Sequence, residues 1–125
     1  MAAITQGTDI KPLRGARVRK GTLGDTVTKG DPVTLQSDGY WDMCDTSTAQ
    51  LTVGVAVEGG VAGDVIDIVT IGPIQCLSGA TPGALVYGSD TAGAYDTAAG
   101  TKSLVIGYVE SATVLFVLPQ IVDFS

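Results

Sequence analysis

Between residues 28 and 71 a turn built on glycine leads into a short apolar strand, a polar loop rich in Asp follows, and a Val-rich strand centred on glycine ends in an acid. The segments are Thr28-Lys-Gly-Asp-Pro-Val-Thr-Leu35, the loop Gln36–Gln50, and Leu51-Thr-Val-Gly-Val-Ala-Val-Glu58. Fifty-three positions on, the order recurs as Thr81-Pro-Gly-Ala-Leu-Val-Tyr87, a loop, and Leu104-Val-Ile-Gly-Tyr-Val-Glu110. At that offset Thr28/Thr81, Gly30/Gly83, Val33/Val86, Thr48/Thr101, Leu51/Leu104 and Gly54/Gly107 coincide, at turn and core positions. No stretch of about ten residues keeps a 3.6-residue period clear of Gly and β-branched runs, as a helix would need. A chain punctuated this way is expected to fold as strands.

The strands follow from alternation and turn chemistry. Arg17–Lys20 alternates weakly, and Pro32–Gln36 follows the Lys29-Gly30-Asp31 turn. Tyr40–Cys44 follows Asp38-Gly39, a strong hairpin signal. In Leu51–Val57 the residues Leu51, Val53, Val55 and Val57 share one face, and Thr52, Gly54 and Ala56 the other. Gly54 in mid-strand implies the close approach of a neighbour. Val65–Ile71 is apolar on both faces except at Asp67, which fits a central strand or one covered by a second subunit. Pro73 is expected to break it, with Ile74–Leu77 resuming, and Ala84–Tyr87, Leu104–Glu110 and Thr113–Leu118 complete the set. The expectation is one all-β domain over residues 16–118, a compact sandwich or small barrel, with a two-fold internal repeat at 28–73 and 81–119. Residues 1–15 read as an extended basic arm and 119–125 as a C-terminal tail, because neither shows a strand period.

Charge is scarce and unevenly placed. Residues 1–29 carry six cations against two acids, net +4, while residues 30–125 carry one cation against eleven acids, net −10. Two readings fit the basic end. Either it docks on an acidic surface, or its cations keep an edge strand from pairing. With 16% charged residues and a positive mean hydropathy, the chain lacks the side chains to solvate its whole surface, so apolar area is left for a partner. The acidic body repels phosphate and no aromatics interleave the cations, so nucleic acid is not an expected partner.

Reactive chemistry is thin. There is no histidine, hence no ready base near neutrality. Asp38, Asp42 and Asp45, like Asp90 and Asp96, place carboxylates in loops without the ligand alternation of an EF-hand, and read as polar turn residues. Cys44 and Cys76 lack metal spacing and read as two reduced, half-buried thiols of a protein made in a cytoplasm. No catalytic, cofactor or metal residue is assigned. Met1–Gly15 has no secretory apolar core, and the apolar run Val114–Leu118 is too short to span a bilayer, so no membrane partner is expected. Tyr40 and Trp41 could stack on a sugar or sit in the core.

The order of these segments resembles the capsid cement (head decoration) proteins of tailed bacteriophages. The resemblance lies in Val27-Thr-Lys-Gly-Asp-Pro-Val-Thr-Leu35, the block Thr52–Gly72, Gly79–Tyr87 and Val105-Ile-Gly-Tyr-Val-Glu110, and covers about residues 25–118. The chain departs from the family pattern at Ala84, where an Asp would follow Gly83, and in its longer basic arm. The resemblance implies a non-enzymatic β protein on the outer surface of a virion, without cofactor. It would clamp neighbouring subunits of the major capsid protein and work as a homotrimer. Arg14, Arg17, Arg19 and Lys20, with Ile121 and Phe124 in the tail, are the expected partner contacts. The alternative of another class is a small carbohydrate-binding or fibre-associated β module using Tyr40, Trp41 and the Asp loops.

Overall fold

A computed structural model describes residues 3–44, 53–98, 100 and 104–121. Among them are eleven strands and no helix: β1 (Ala3–Ile4), β2 (Gln6–Pro12), β3 (Arg17–Thr22), β4 (Pro32–Leu35), β5 (Trp41–Met43), β6 (Val53–Ala56), β7 (Val65–Leu77), β8 (Leu85–Gly88), β9 (Tyr95–Asp96), β10 (Leu104–Ser111) and β11 (Val114–Ile121). All pair antiparallel into one curled sheet, so the all-β expectation holds.

One turn does most of the punctuation. At Leu13–Ala16, Thr28–Asp31, Val61–Asp64, Thr81–Ala84 and Thr91–Ala94 the fourth N–H donates to the first carbonyl at 3.0–3.2 Å. The third residue is always glycine with positive φ, between 76° and 96°, the conformation a type II turn demands. A strand starts at the very next residue each time, at Arg17, Pro32, Val65, Leu85 and Tyr95. Where the fourth residue is Asp, its carboxylate also accepts the first N–H: Asp31 from Thr28 at 3.0 Å, and Asp64 from Val61 at 2.9 Å.

The pairing path runs β1-β9-β8-β10-β11-β7-β6-β4-β5, with β2 and β3 also on β7. Moving outward from the central β11–β7 pair, the third, first and second strands of each four-strand unit follow in the same order on both sides. The units are β4–β7 and β8–β11. In each, the first strand meets the third as valine opposite glycine, Val33↔Gly54 and Val86↔Gly107. These are the positions that coincide at an offset of 53 in the sequence.

Proline does not break β7. Residues 65–71 pair with β3 and β6, and residues 72–77 with β11 and β2, so one strand serves both halves. The change of partner occurs at Gly72, whose φ is 111° and where a Cβ would sit 2.6 Å from Ala16 Cα. Pro73 has no N–H to give, but its carbonyl accepts the Leu13 N–H at 3.0 Å.

The N-terminal segment is extended, yet it is built into the sheet. β1 pairs with β9 through Ala3↔Asp96 and Ile4↔Tyr95, and β2 pairs with β7 through Gln6↔Leu77, Lys11↔Gln75 and Pro12↔Ile74. Since β9 and β7 end the path β9-β8-β10-β11-β7, residues 3–12 return the pairing to its start. At the other end, β11 continues through Pro119 to Ile121, which lies opposite Leu104, so the strand reaches three residues into the expected tail. Leu51 and Thr52, the start of the strand expected at Leu51–Val57, lie outside the described residues.

Two apolar clusters fill the sheet. The larger includes Ile74, Tyr95, Ile106, Leu115, Cys44 and Cys76, and the smaller is built on Leu23, Val33, Trp41, Ile66 and Ile68. Gly54 opens the smaller one: an added Cβ would lie 2.5 Å from Ile68 Cγ2, the close approach its mid-strand place implied. Both cysteines are fully buried rather than half-buried, no disulfide joins them, and burial pushes the Cys76 thiol up to about 12. Tyr95 ties the units together, its hydroxyl donating to the Gly30 carbonyl at 2.7 Å.

Asp31 sits at this junction, 5% exposed. Burial raises its pKa above the ordinary value, against the opposing pull of the Thr28 N–H and the Gln6 side chain. The folded state therefore holds this proton to higher pH than the unfolded chain does. Its contribution to stability is greatest in acid and falls as pH rises from 3.8 through the raised folded value. Asp31→Asn keeps an acceptor for the Thr28 N–H and removes that fall. Urea midpoints measured across the acid range should diverge between the two proteins as pH rises, with the variant gaining. Parallel curves would contradict the assignment.

Candidate interaction surface

The expected contact residues Arg17, Arg19 and Lys20 lie on β3, and Arg14 on the turn that precedes it; all four are exposed. Among the described residues β3 pairs with β7 alone, which makes Arg17–Thr22 an edge strand there, with cations at three of its first four positions. Lys20 is partly answered within the chain: its Nζ is 2.6 Å from Asp67 Oδ1 on the facing strand, and that hydrogen bond raises its pKa. Lys11 and Asp9 stand 3.8 Å apart on β2. Of the expected tail contacts, Ile121 ends β11 and Phe124 lies outside the described residues. The structure therefore sets Arg17, Arg19 and Lys20 on one edge strand with Arg14 just before it.

A second feature was not read from the sequence. Leu85 faces Tyr108, Tyr108 faces Phe116, and Phe116 faces Pro73, which sets one residue from each of β8, β10, β11 and β7 in a row across the sheet. Directly opposed residues in antiparallel strands point to the same side. Their chain neighbours Val86, Val109, Leu115 and Ile74 are buried in the larger cluster, so the row faces outward. Tyr108 and Phe116 stack with centroids 5.2 Å apart and planes 16° from parallel, and Leu85 is half exposed. Leu118 and Ile71 add exposed apolar area nearby. Ile71 faces Arg17, and the Pro73 carbonyl holds the Leu13 N–H, so backbone pairing joins this apolar row to the start of the cationic edge.

The other candidates are weaker. Trp41 is 8% exposed and belongs to the smaller cluster, which leaves Tyr40 as the exposed ring and no stacking pair for a sugar. Asp42 has its pKa raised by burial, then by the charges of Asp25 and Asp38, and its Oδ1 is buried without a hydrogen-bond partner. Among the described residues no group of three or more His, Cys, Asp or Glu is placed to hold a metal ion; Asp45 lies outside them. Among the same residues, no helix is long and apolar enough to cross a membrane. No model of a known family matches the chain, and a comparison with curated proteins finds no match either.

Proposed function

We propose that the protein decorates the outer surface of an assembled bacteriophage head, as a homotrimer, and cements neighbouring subunits of the major capsid protein. The observation that carries this reading is the outward apolar row Leu85–Tyr108–Phe116–Pro73 set against the cationic edge of β3. Large apolar side chains in contiguous register on an outer sheet face are costly to leave in water, at about 25 cal/mol per Å². Joined to a charged strip that fixes orientation, such a face suits lasting contact with other subunits. Rigid strands and short turns supply the stiffness a clamp needs. The order of turn and strand segments supplies the capsid assignment, through the resemblance described above.

A cement works by linkage: a ligand that binds the assembled shell and not the disrupted one stabilises it by about 2.7 kcal/mol per site at a hundred times Kd. The test uses heads purified without the protein and restored with it. Wild-type protein should co-sediment with heads and raise the temperature of DNA release. Leu85→Asp with Leu118→Asp changes two exposed positions, so folding should be retained while head binding falls by about tenfold or more. Binding equal to wild type, or an unchanged release temperature on adding wild-type protein, would sink the reading. Sedimentation equilibrium of protein recovered from heads checks the trimer.

A further inference from the structure

The edge of β3 is more specific than a patch of positive charge. Leu23 donates to the Asp64 carbonyl, and hydrogen-bonded positions recur every second residue in an antiparallel pair. The continuous register Thr22↔Val65 to Val18↔Val69 therefore turns the backbone groups of Gly21 and Arg19 toward β7. Those of Val18 and Lys20 point away from it, and among the described residues no strand pairs with β3 on that side. Just beyond, Leu23 makes a parallel bridge to Trp41, where the Gly24 N–H donates to the Trp41 carbonyl at 3.0 Å. β3 and the β4–β5 hairpin thus touch at one corner and splay apart from it. The space between them is a groove of about 370 Å³ lined by Arg19, Lys20, Leu35, Trp41, Val53 and Thr70.

We propose that this edge is a strand-acceptor site, taking an extended acidic segment of a partner chain. The outward N–H and carbonyl groups of Val18 and Lys20 would pair with the incoming backbone. Alternate carboxylates would meet Arg17 and Arg19 at the groove, on the face that Gly21 turns toward Trp41, and the apolar residues between them would lie on the other face beside the exposed Val18. Charge selects the occupant. A second β3 edge would bring its own three cations against these three, which the like-charge rule for edges forbids. The proposal rests on the adhesive reading above and names where the partner's chain is held.

The test uses the isolated full chain and synthetic peptides of about nine residues, enough to span an edge strand. One alternates Glu and Val, one alternates Lys and Val, and one is the Glu–Val peptide N-methylated at every residue, so that neither edge can pair. With the first, amide exchange at Val18 and Lys20 should slow by about tenfold or more, and binding should weaken as salt is raised. The Lys–Val and N-methylated peptides should give no protection at those amides. Arg17→Glu with Arg19→Glu, at exposed positions, should reverse the preference between the first two peptides. Protection by all three peptides alike, protection only away from β3, or none with the Glu–Val peptide would overturn the proposal. Because no heads are present, that failure is distinct from failure of the cement reading, which the co-sedimentation experiment judges separately.

Discussion

Removing residues 1–12 should unfold the protein rather than leave a folded body without its arm. The sequence reading of residues 1–15 as a docking arm carries the opposite expectation, since an arm can be cut without loss of fold. Residues 3–12 instead complete the pairing between β9 and β7 and cover the β7 edge from Ile74 to Leu77. Ile4 and Ile10 pack on the larger cluster, and the Gln6 side chain donates to the Gly93 carbonyl at 2.8 Å. The Ser78 N–H also loses its acceptor, the Thr5 carbonyl 3.0 Å away. Half-burying an isoleucine is worth about 1–1.5 kcal/mol and each hydrogen bond about 1 kcal/mol, with more where a buried group is left unsatisfied. The sum is on the order of 5 kcal/mol, comparable to the whole stability of a domain this size. Thermal unfolding followed by circular dichroism checks it. A deletion variant with the wild-type midpoint would restore the loose-arm reading.

This segment escaped sequence reading for a physical reason. A strand announces itself by alternation when one face is buried along its length, but β2 buries no continuous face and its register shifts between Gln6 and Lys11. It is held by backbone pairing, to which sequence pattern is blind. The strands that did show, such as Val53–Ala56 and Leu104–Ser111, are those with buried apolar side chains and a glycine turn nearby. Sequence pattern divides β7 at Pro73 because proline lacks a donor, but the strand changes partners at the neighbouring Gly72, and Pro73 takes part through its carbonyl instead. The Asp-Gly hairpin and the close contact at Gly54 were legible because each depends on a few adjacent residues. The apolar row was not, because it takes one residue from each of four strands and exists only once register is fixed. The β3 cations could be picked out as an edge or an arm. Which strand they flank, and the groove beside them, depend on pairing between residues far apart in the chain, as in Arg17 to Ile71.

The two glycines that face valine in the two units should respond very differently to the same change. At Gly54 an added Cβ meets Ile68 Cγ2 at 2.5 Å and the Val69 carbonyl oxygen at 3.0 Å. That methyl sits on the Cβ of a buried, β-branched residue and yields only if the Ile68 side chain shifts as a whole, so Gly54→Ala is an overpacking change of about 1–3 kcal/mol. At Gly107 the obstacle is the backbone of β11: the Cβ would fall on the Phe116 carbonyl oxygen, with the Leu118 nitrogen 3.0 Å away. The register of β10 shifts between Val105 and Gly107 against both of its neighbours, so the strand already bends there, and glycine is what lets β11 lie against the bend. Alanine would have to push β11 away from β10, at the centre of the larger cluster and beneath the stacked Tyr108 and Phe116. Gly107→Ala is therefore expected to cost more than about 3 kcal/mol, a large share of the total stability of a domain this size. It should also disrupt the outward row even where some fold survives, because Phe116 rides on the displaced strand. Urea denaturation of the two variants side by side decides the matter. Equal losses would mean that β11 yields as readily as the Ile68 side chain, and that the unit containing Gly107 is not held by the close approach of its backbones.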